Sequence, residues 1–251
     1  MEHPRQDRPQ DRRPQPLPGQ AGARRCQPGC GRDTYIRTLL TGREPYSYGL
    51  SSLSFGFPRG QIEHLTWKYD PARARALMRE AGYENGFEMD FYVPTGFLPK
   101  VEQIAQVVAQ DLARIGIRTR IITMPFADML PVMRRHEAPG LFYFFSSPTL
   151  DPNSNAVAFW ADNGFYNQAL LPELGLQRLF EEESAEFDPE RRKEILKRAW
   201  IAHYEGAGWL FLHETVQASV FNSNRVVWEP DGGPDRLPTA PQVWEFKVLP
   251  A

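Results

Sequence analysis

Between Val101 and Ile115 the apolar residues Val101, Ile104, Ala105, Val108, Leu112 and Ile115 recur at the three- and four-residue spacing of one helical face, and Gly116 ends the run. On either side the period changes to two. FEMDFYV, Phe87 to Val93, and IRTRIITM, Ile117 to Met124, alternate as strands do, with PTG expected to break the first. Phe126, Met129, Leu130 and Met133 predict another helix, and LFYFF, Leu141 to Phe145, a short buried strand. Strand, helix, strand, helix, strand is the order of right-handed crossovers in a parallel sheet, whose ligands lie at the carboxyl ends of the strands.

Helices are expected on both sides of this block. RDTYIRTLLTG places Ile36, Leu39 and Leu40 on one face and stops at Gly42. YDPARARALMREAGY offers Asp70 as a cap, Pro71 in the first turn, a stripe of Ala74, Leu77, Met78 and Ala81, and Gly82 as the stop. Arg43 to Thr66, rich in Pro, Gly, Ser and Tyr, reads as a long irregular connection. After the sheet come a helix near Asn153 to Ala161, an acidic helix around Pro172 to Glu186, and a third opened by Asp188 and Pro189. In EEES, Glu181 to Ser184, the carboxylates read as a solvated face opposite Leu179 and Phe180. WLFLHETVQASVF, Trp209 to Phe221, reads as two strands joined near Glu214. Met1 to about Gly31, built of Pro, Arg, Gln and Gly, reads as disordered.

Composition narrows the function more by exclusion than by assignment. The 251 residues are 41% hydrophobic and 12% aromatic, enough for a sizeable core. A net charge of -2 from 29 basic and 31 acidic side chains gives no general field for nucleic acid or anionic membrane. No apolar run reaches the length of a membrane span, and MEHPRQDRPQ has no export signal. Cys26 and Cys30 are too few for a structural zinc site and read as incidental thiols, with a small disulfide as the alternative.

The familiar catalytic patterns are missing. The folded region has neither G-x-S-x-G nor a cysteine nucleophile, His3, His64, His136, His203 and His213 form no metal-binding pair at one helical turn, and GFPRG is not a phosphate loop. What remains is an aromatic strand end opening into SSPTLDPN, where apolar walls meet hydroxyls, a carboxylate and an amide. The candidate ligand-binding residues are Tyr143, Phe145, Ser146, Ser147, Pro148, Thr149, Asp151 and Asn155. Asp151 has a second reading, as a cap for the helix after Pro152. No catalytic residue, metal or cofactor is expected.

Taken in order, YDPARARALMREAGYENGF, a strand, VEQIAQVVAQDLARIGIRTRI, a strand before an Asp-Pro loop, and FDPERRKEILKRAWIAHYEGAGWLFLHE resemble the C-terminal half of the extracellular solute-binding proteins of family 5. These are the dipeptide, oligopeptide, nickel and related binding components of ABC importers. The resemblance implies an α/β fold of the type II periplasmic-binding-protein kind, mainly the second lobe with its βαβαβ core. Its domains would be a head over 1–31, a hinge or first-lobe remnant over 32–86, the second lobe over 87–207, and strands returning to an incomplete first lobe over 208–251. It also implies a small solute such as a peptide or sugar, held in a cleft between lobes, ABC permease subunits as partners, no enzyme activity, no nucleic acid, no membrane insertion and a monomer.

Family members are about twice as long, so the resemblance implies a truncated or misassigned frame and weakened binding. The location implied is periplasmic, or cytoplasmic if the chain is made as written without a signal. In peptide-binding members an aspartate just before the position of Asp151 pairs with the peptide amine; here that position is Pro148, which has neither charge nor side-chain hydrogen bond. The alternatives are the solute-sensing domain of a regulator, which would need a helix-turn-helix ahead of it, and a hydrolase acting through Asp151 and a distant His.

Overall fold

The computed structural model describes residues 26–96, 98–135, 140–146, 149–168, 171–216, 222–228 and 246–249. The chain divides into two compact units. The first holds Trp67–Phe144, Gln168–Leu171 and the described part of the segment before Arg32; the second holds Arg32–Thr66, Phe145–Asn167 and Pro172 onward. The stretch 87–207 is thus shared between them.

The first unit is built on β1 (Phe87–Thr95), β2 (Ile117–Pro125) and β3 (Gly140–Phe142), all parallel, in the order β2-β1-β3. This is the crossover order that the alternating periods predict. The crossovers are the helices α3 (Val101–Arg114) and α4 (Phe126–Arg134), numbered after α1 (Arg32–Leu39) and α2 (Pro71–Glu80). Every residue of the Val101-to-Ile115 stripe is buried, and α3 packs on both β1 and β2. In-register partners Glu88 with Arg118 and Asp90 with Arg120 form ion pairs across the two strands at 3.1 and 2.8 Å.

Two strand ends differ from expectation. β1 runs through Pro94 to Thr95, because β3 pairs only with Asp90 to Tyr92 and leaves no rung there for a missing Pro94 amide to break. β3 is three half-buried residues rather than five; Tyr143 adds one more bond, its N–H donating to the Tyr92 carbonyl at 2.8 Å.

The capping signals hold. Asp70 accepts from the Arg73 amide at 2.8 Å, Ala74 and Met78 are buried, and α2 stops two residues before Gly82, whose φ of +80° suits glycine.

The end of the expected disordered head is instead packed: Cys26 to Gly31 are buried, with a 3-10 turn over Gln27–Gly29. One of the contacts that hold it comes from a residue that periodicity overlooks. Asp111, on the buried face of α3, accepts from the Gly31 amide at 2.7 Å and pairs with Arg114 at 2.5 Å. Residues 1–25 lie outside the described set. Asp111→Ala leaves the Gly31 amide without its acceptor and should lower stability by about 2 kcal/mol. Urea unfolding of the two proteins measures it, and Asp111→Asn should recover part of the loss by keeping an acceptor oxygen.

The second unit contains α1, α5 (Asn153–Trp160), α6 (Leu176–Ala185), α7 (Pro189–Gly206) and the antiparallel pair β4 (Val226–Trp228) and β5 (Phe246–Val248). In α1 the buried residues are Arg32, Tyr35 and Ile36, whereas Leu39 and Leu40 are only half-buried. Asp188 caps α7 by accepting from the Arg191 amide at 2.9 Å. The unit's core is aromatic. Trp160 and Trp200 meet edge to face with ring centroids 5.4 Å apart, and His203 stacks on Trp160 at 4.2 Å. Of the strands expected over 209–221, the described residues show one bridge, between Tyr46 and His213; residues 217–221 lie outside the described set.

Candidate functional site

Tyr143 belongs to the first unit; Phe145, Ser146, Thr149, Asp151 and Asn155 belong to the second. Ser147 and Pro148 lie outside the described residues. Tyr143 is buried, and burial followed by the nearby Cys30 pushes its hydroxyl above the usual tyrosine range. It stays protonated at neutral pH.

Within the second unit the segment from Thr149 to Asn155 is held from three directions. Ser54 Oγ donates to the Thr149 carbonyl at 2.5 Å and the Phe55 amide to the Leu150 carbonyl at 2.6 Å. Asn155 Nδ2 reaches Thr149 Oγ1 at 3.4 Å. The third hold is ionic. Arg192, in the first turns of α7, donates through Nη2 to both oxygens of Asp151 at 2.9 and 2.8 Å, and through Nε to Glu183 Oε1 at 2.5 Å. The other oxygen of Glu183 accepts from Asn153 Nδ2.

Asp151 therefore does more than make a turn. Its carboxylate accepts the Asn153 amide at 3.0 Å, while the residue at the N-cap position of α5 is Pro152. Both of its oxygens are engaged by Arg192, an arrangement suited to fixing a loop. Burial alone would lower the Arg192 pKa, but the bonds to Asp151 and Glu183 outweigh it and hold the guanidinium above its ordinary value.

Glu183 corrects the solvated reading of EEES, since it is only 1% exposed. Glu181, Glu182 and Ser184 are exposed as expected. None of Glu183, Arg192, Asn153 and Ser54 is a site candidate by sequence. An arginine four residues after a helix cap has no pattern that separates it from a surface arginine.

Leu150, at the apex of the segment, is 46% exposed and gives it an apolar face beside the Thr149 hydroxyl. A hollow of about 380 Å³ elsewhere in this unit, lined by Val157, Gln177, Phe180, Glu181, Ser184 and Ala185, includes none of the predicted ligand residues. Among the described residues no group of three His, Cys, Asp or Glu could hold a metal ion. No described helix is long and apolar enough to cross a membrane.

A parallel βαβαβ unit followed at its last strand end by a braced polar loop defines a class, and the fold is that of type II periplasmic binding proteins. A periplasmic binding protein from Helicobacter pylori, solved with the peptide STSA, superposes with a TM-score of 0.66 at 17% identity, over 77% of this chain and 38% of that one. The family described as bacterial extracellular solute-binding proteins, family 5 Middle, matches residues 30–167. The chain belongs to this family.

Among curated relatives, Heme-binding protein A of Haemophilus influenzae is 27% identical over 155 residues, 60% of this chain and 28% of the relative. Di/tripeptide-binding protein 2 of Pseudomonas aeruginosa is 28% identical over 150 residues, 57% of this chain and 28% of the relative. The chain thus spans under a third of the length of these relatives.

Proposed function

We propose that this chain is part of the solute-binding component of an ABC importer, and that the segment 145–155 forms one wall of its solute site. The observation that carries the reading is the family match over 30–167, which includes both the parallel sheet and this segment. The solute is small and polar, of the peptide-like kind that the relatives' names indicate, and is bound and released unchanged. Delivery is to permease subunits in the membrane, from the periplasm, where members of the family work. Binding would shift the population toward the form that a permease accepts.

Pro148, where peptide-binding members place an aspartate, argues for a solute not anchored by its amine. Saturation-transfer NMR with di- and tripeptides, their N-acetylated forms and simple sugars tests this. At least one solute should show saturable transfer and be recovered intact. N-acetylation should change the affinity of a bound peptide by no more than about threefold, under 1 kcal/mol. Transfer to none of these solutes, or their conversion to product, would overturn the reading. A hundredfold loss on acetylation would overturn the assignment of Pro148.

A further inference from the structure

We infer that Arg192 is the positioning residue of the solute-facing segment, clamping it on both sides of Pro152 through one guanidinium; the functional part of this inference rests on the solute-binding reading above. Asp151 is tied to Arg192 directly, and Asn153 is tied to it through Glu183, so the residues flanking Pro152 share one anchor.

The anchor is rigid. Arg192 sits in the first turns of α7, its amide donating to the Asp188 carbonyl at 2.9 Å, and its guanidinium lies 5.5 Å from the Phe55 ring centroid. Phe55 is also the residue whose amide holds the Leu150 carbonyl. One cation therefore meets the carboxylate on the segment, the buried carboxylate of α6 and an aromatic ring of the bracing strand of chain.

The chemistry favours conformation over stability as the purpose. The Asp151 side chain is 58% exposed, and exposed ion pairs contribute little to folding. A buried pair such as Glu183 with Arg192 is often no more stabilising than neutral groups of the same shape. What the ions supply is direction. A guanidinium has fixed, divergent donors and serves two carboxylates at set angles, which a lysine ammonium does not. Nothing else described pairs with the Asp151 carboxylate except the Asn153 amide, so without Arg192 that carboxylate keeps only a local turn, and the segment is held to α6 only by the Asn153 side chain on Glu183 and Ser184.

The test is the double variant Arg192→Met with Glu183→Gln, which removes both charges of the buried pair and keeps an acceptor for Asn153. Hydrogen exchange should speed up by about tenfold or more at the amides from Thr149 to Asn155, with β1 and β2 unchanged and the melting midpoint within about 5 °C. Arg192→Lys should also loosen the segment, because it keeps the charge and loses the fork. Unchanged exchange in the segment, or acceleration spread evenly over the chain, would overturn the clamp.

Solute affinity is the second readout. A solute bound by the natural chain should bind the double variant at least tenfold more weakly, and equal affinity would overturn the positioning role. If the natural chain binds no solute, the solute-binding reading fails, while the exchange measurement still decides whether Arg192 sets the segment.

Discussion

Lowering the pH from 6.5 to 5 should destabilise the natural protein by about 2 kcal/mol more than a His203→Phe variant, roughly 5 °C in melting midpoint. His203 is fully enclosed in the second unit, stacked on Trp160 at 4.2 Å and meeting Trp209 and Phe211 edge-on at 5.0 and 5.5 Å. No charged group contributes to its shift; burial alone pushes its pKa from 6.5 down to about 3. In the unfolded chain the imidazole takes a proton below about pH 6.5, whereas in the folded chain it does so only near pH 3.

Between these values the unfolded state holds one proton more, so stability is complete above pH 6.5 and falls as the pH drops through the window. The limiting slope is about 1.4 kcal/mol per pH unit, and the full effect is about 5 kcal/mol. His213, which burial also holds below its ordinary value, and the carboxylates are present in both proteins and cancel in the difference. Thermal melts of both proteins across pH 5 to 7 measure it. Parallel curves would show that His203 is charged, or hydrated, in the folded state.

Gly86→Ala should be the most damaging small substitution in the first unit, with a loss on the order of 4 kcal/mol. Gly86 has φ +69°, and a methyl group there would sit 1.9 Å from the Gly116 carbonyl oxygen. That oxygen also accepts the Phe87 amide at 3.0 Å, the bond that starts the pairing of β1 with β2. The methyl must displace backbone, so the substitution combines left-handed strain of about 1–2 kcal/mol with loss of a central ladder bond. Gly82→Ala is the control. Its φ of +80° is equally left-handed, yet nothing lies within 4 Å of the added carbon. It should lose only the strain, and urea unfolding of the pair separates conformation from close approach. Equal losses would show that the crowding at Gly116 relaxes without penalty.

What the sequence made legible was local. Asp70 and Asp188 each stand before a proline and a helical stripe, so cap, first turn and helix follow from neighbouring residues. The parallel order followed from three strand patterns separated by two helical ones. Composition and periodicity mislead where a residue's partner is remote. Glu183 reads as one of several acids until Arg192 is brought beside it from the next helix. Residues 26–31 have a disordered composition, but Asp111 reaches them from 80 positions away.

The segment is a candidate because aromatic residues run into an Asp-Pro loop. Which of its groups are braced and which are open depends on Ser54, Phe55 and Arg192, and no spacing within SSPTLDPN encodes them. Trp209 to Phe211 shows the opposite failure. Its apolar run suggests a strand, yet among the described residues the rings pack with other aromatics and His213 bridges to Tyr46, while most of the second expected strand lies outside the described set.

The repeated crossing of the chain between the units has a consequence for synthesis on the ribosome. β1, α3, β2, α4 and β3 are contiguous from Phe87 to Phe142, so the parallel sheet can close as soon as that stretch has emerged. The second unit must wait. Tyr48 packs on Tyr204, Phe57 on Trp200 and Tyr35 on His213, each an early residue paired with one made more than 140 positions later. A nascent chain that has not yet extruded α7 would carry a finished sheet beside uncovered aromatic rings, the state in which a holdase chaperone has most to shield.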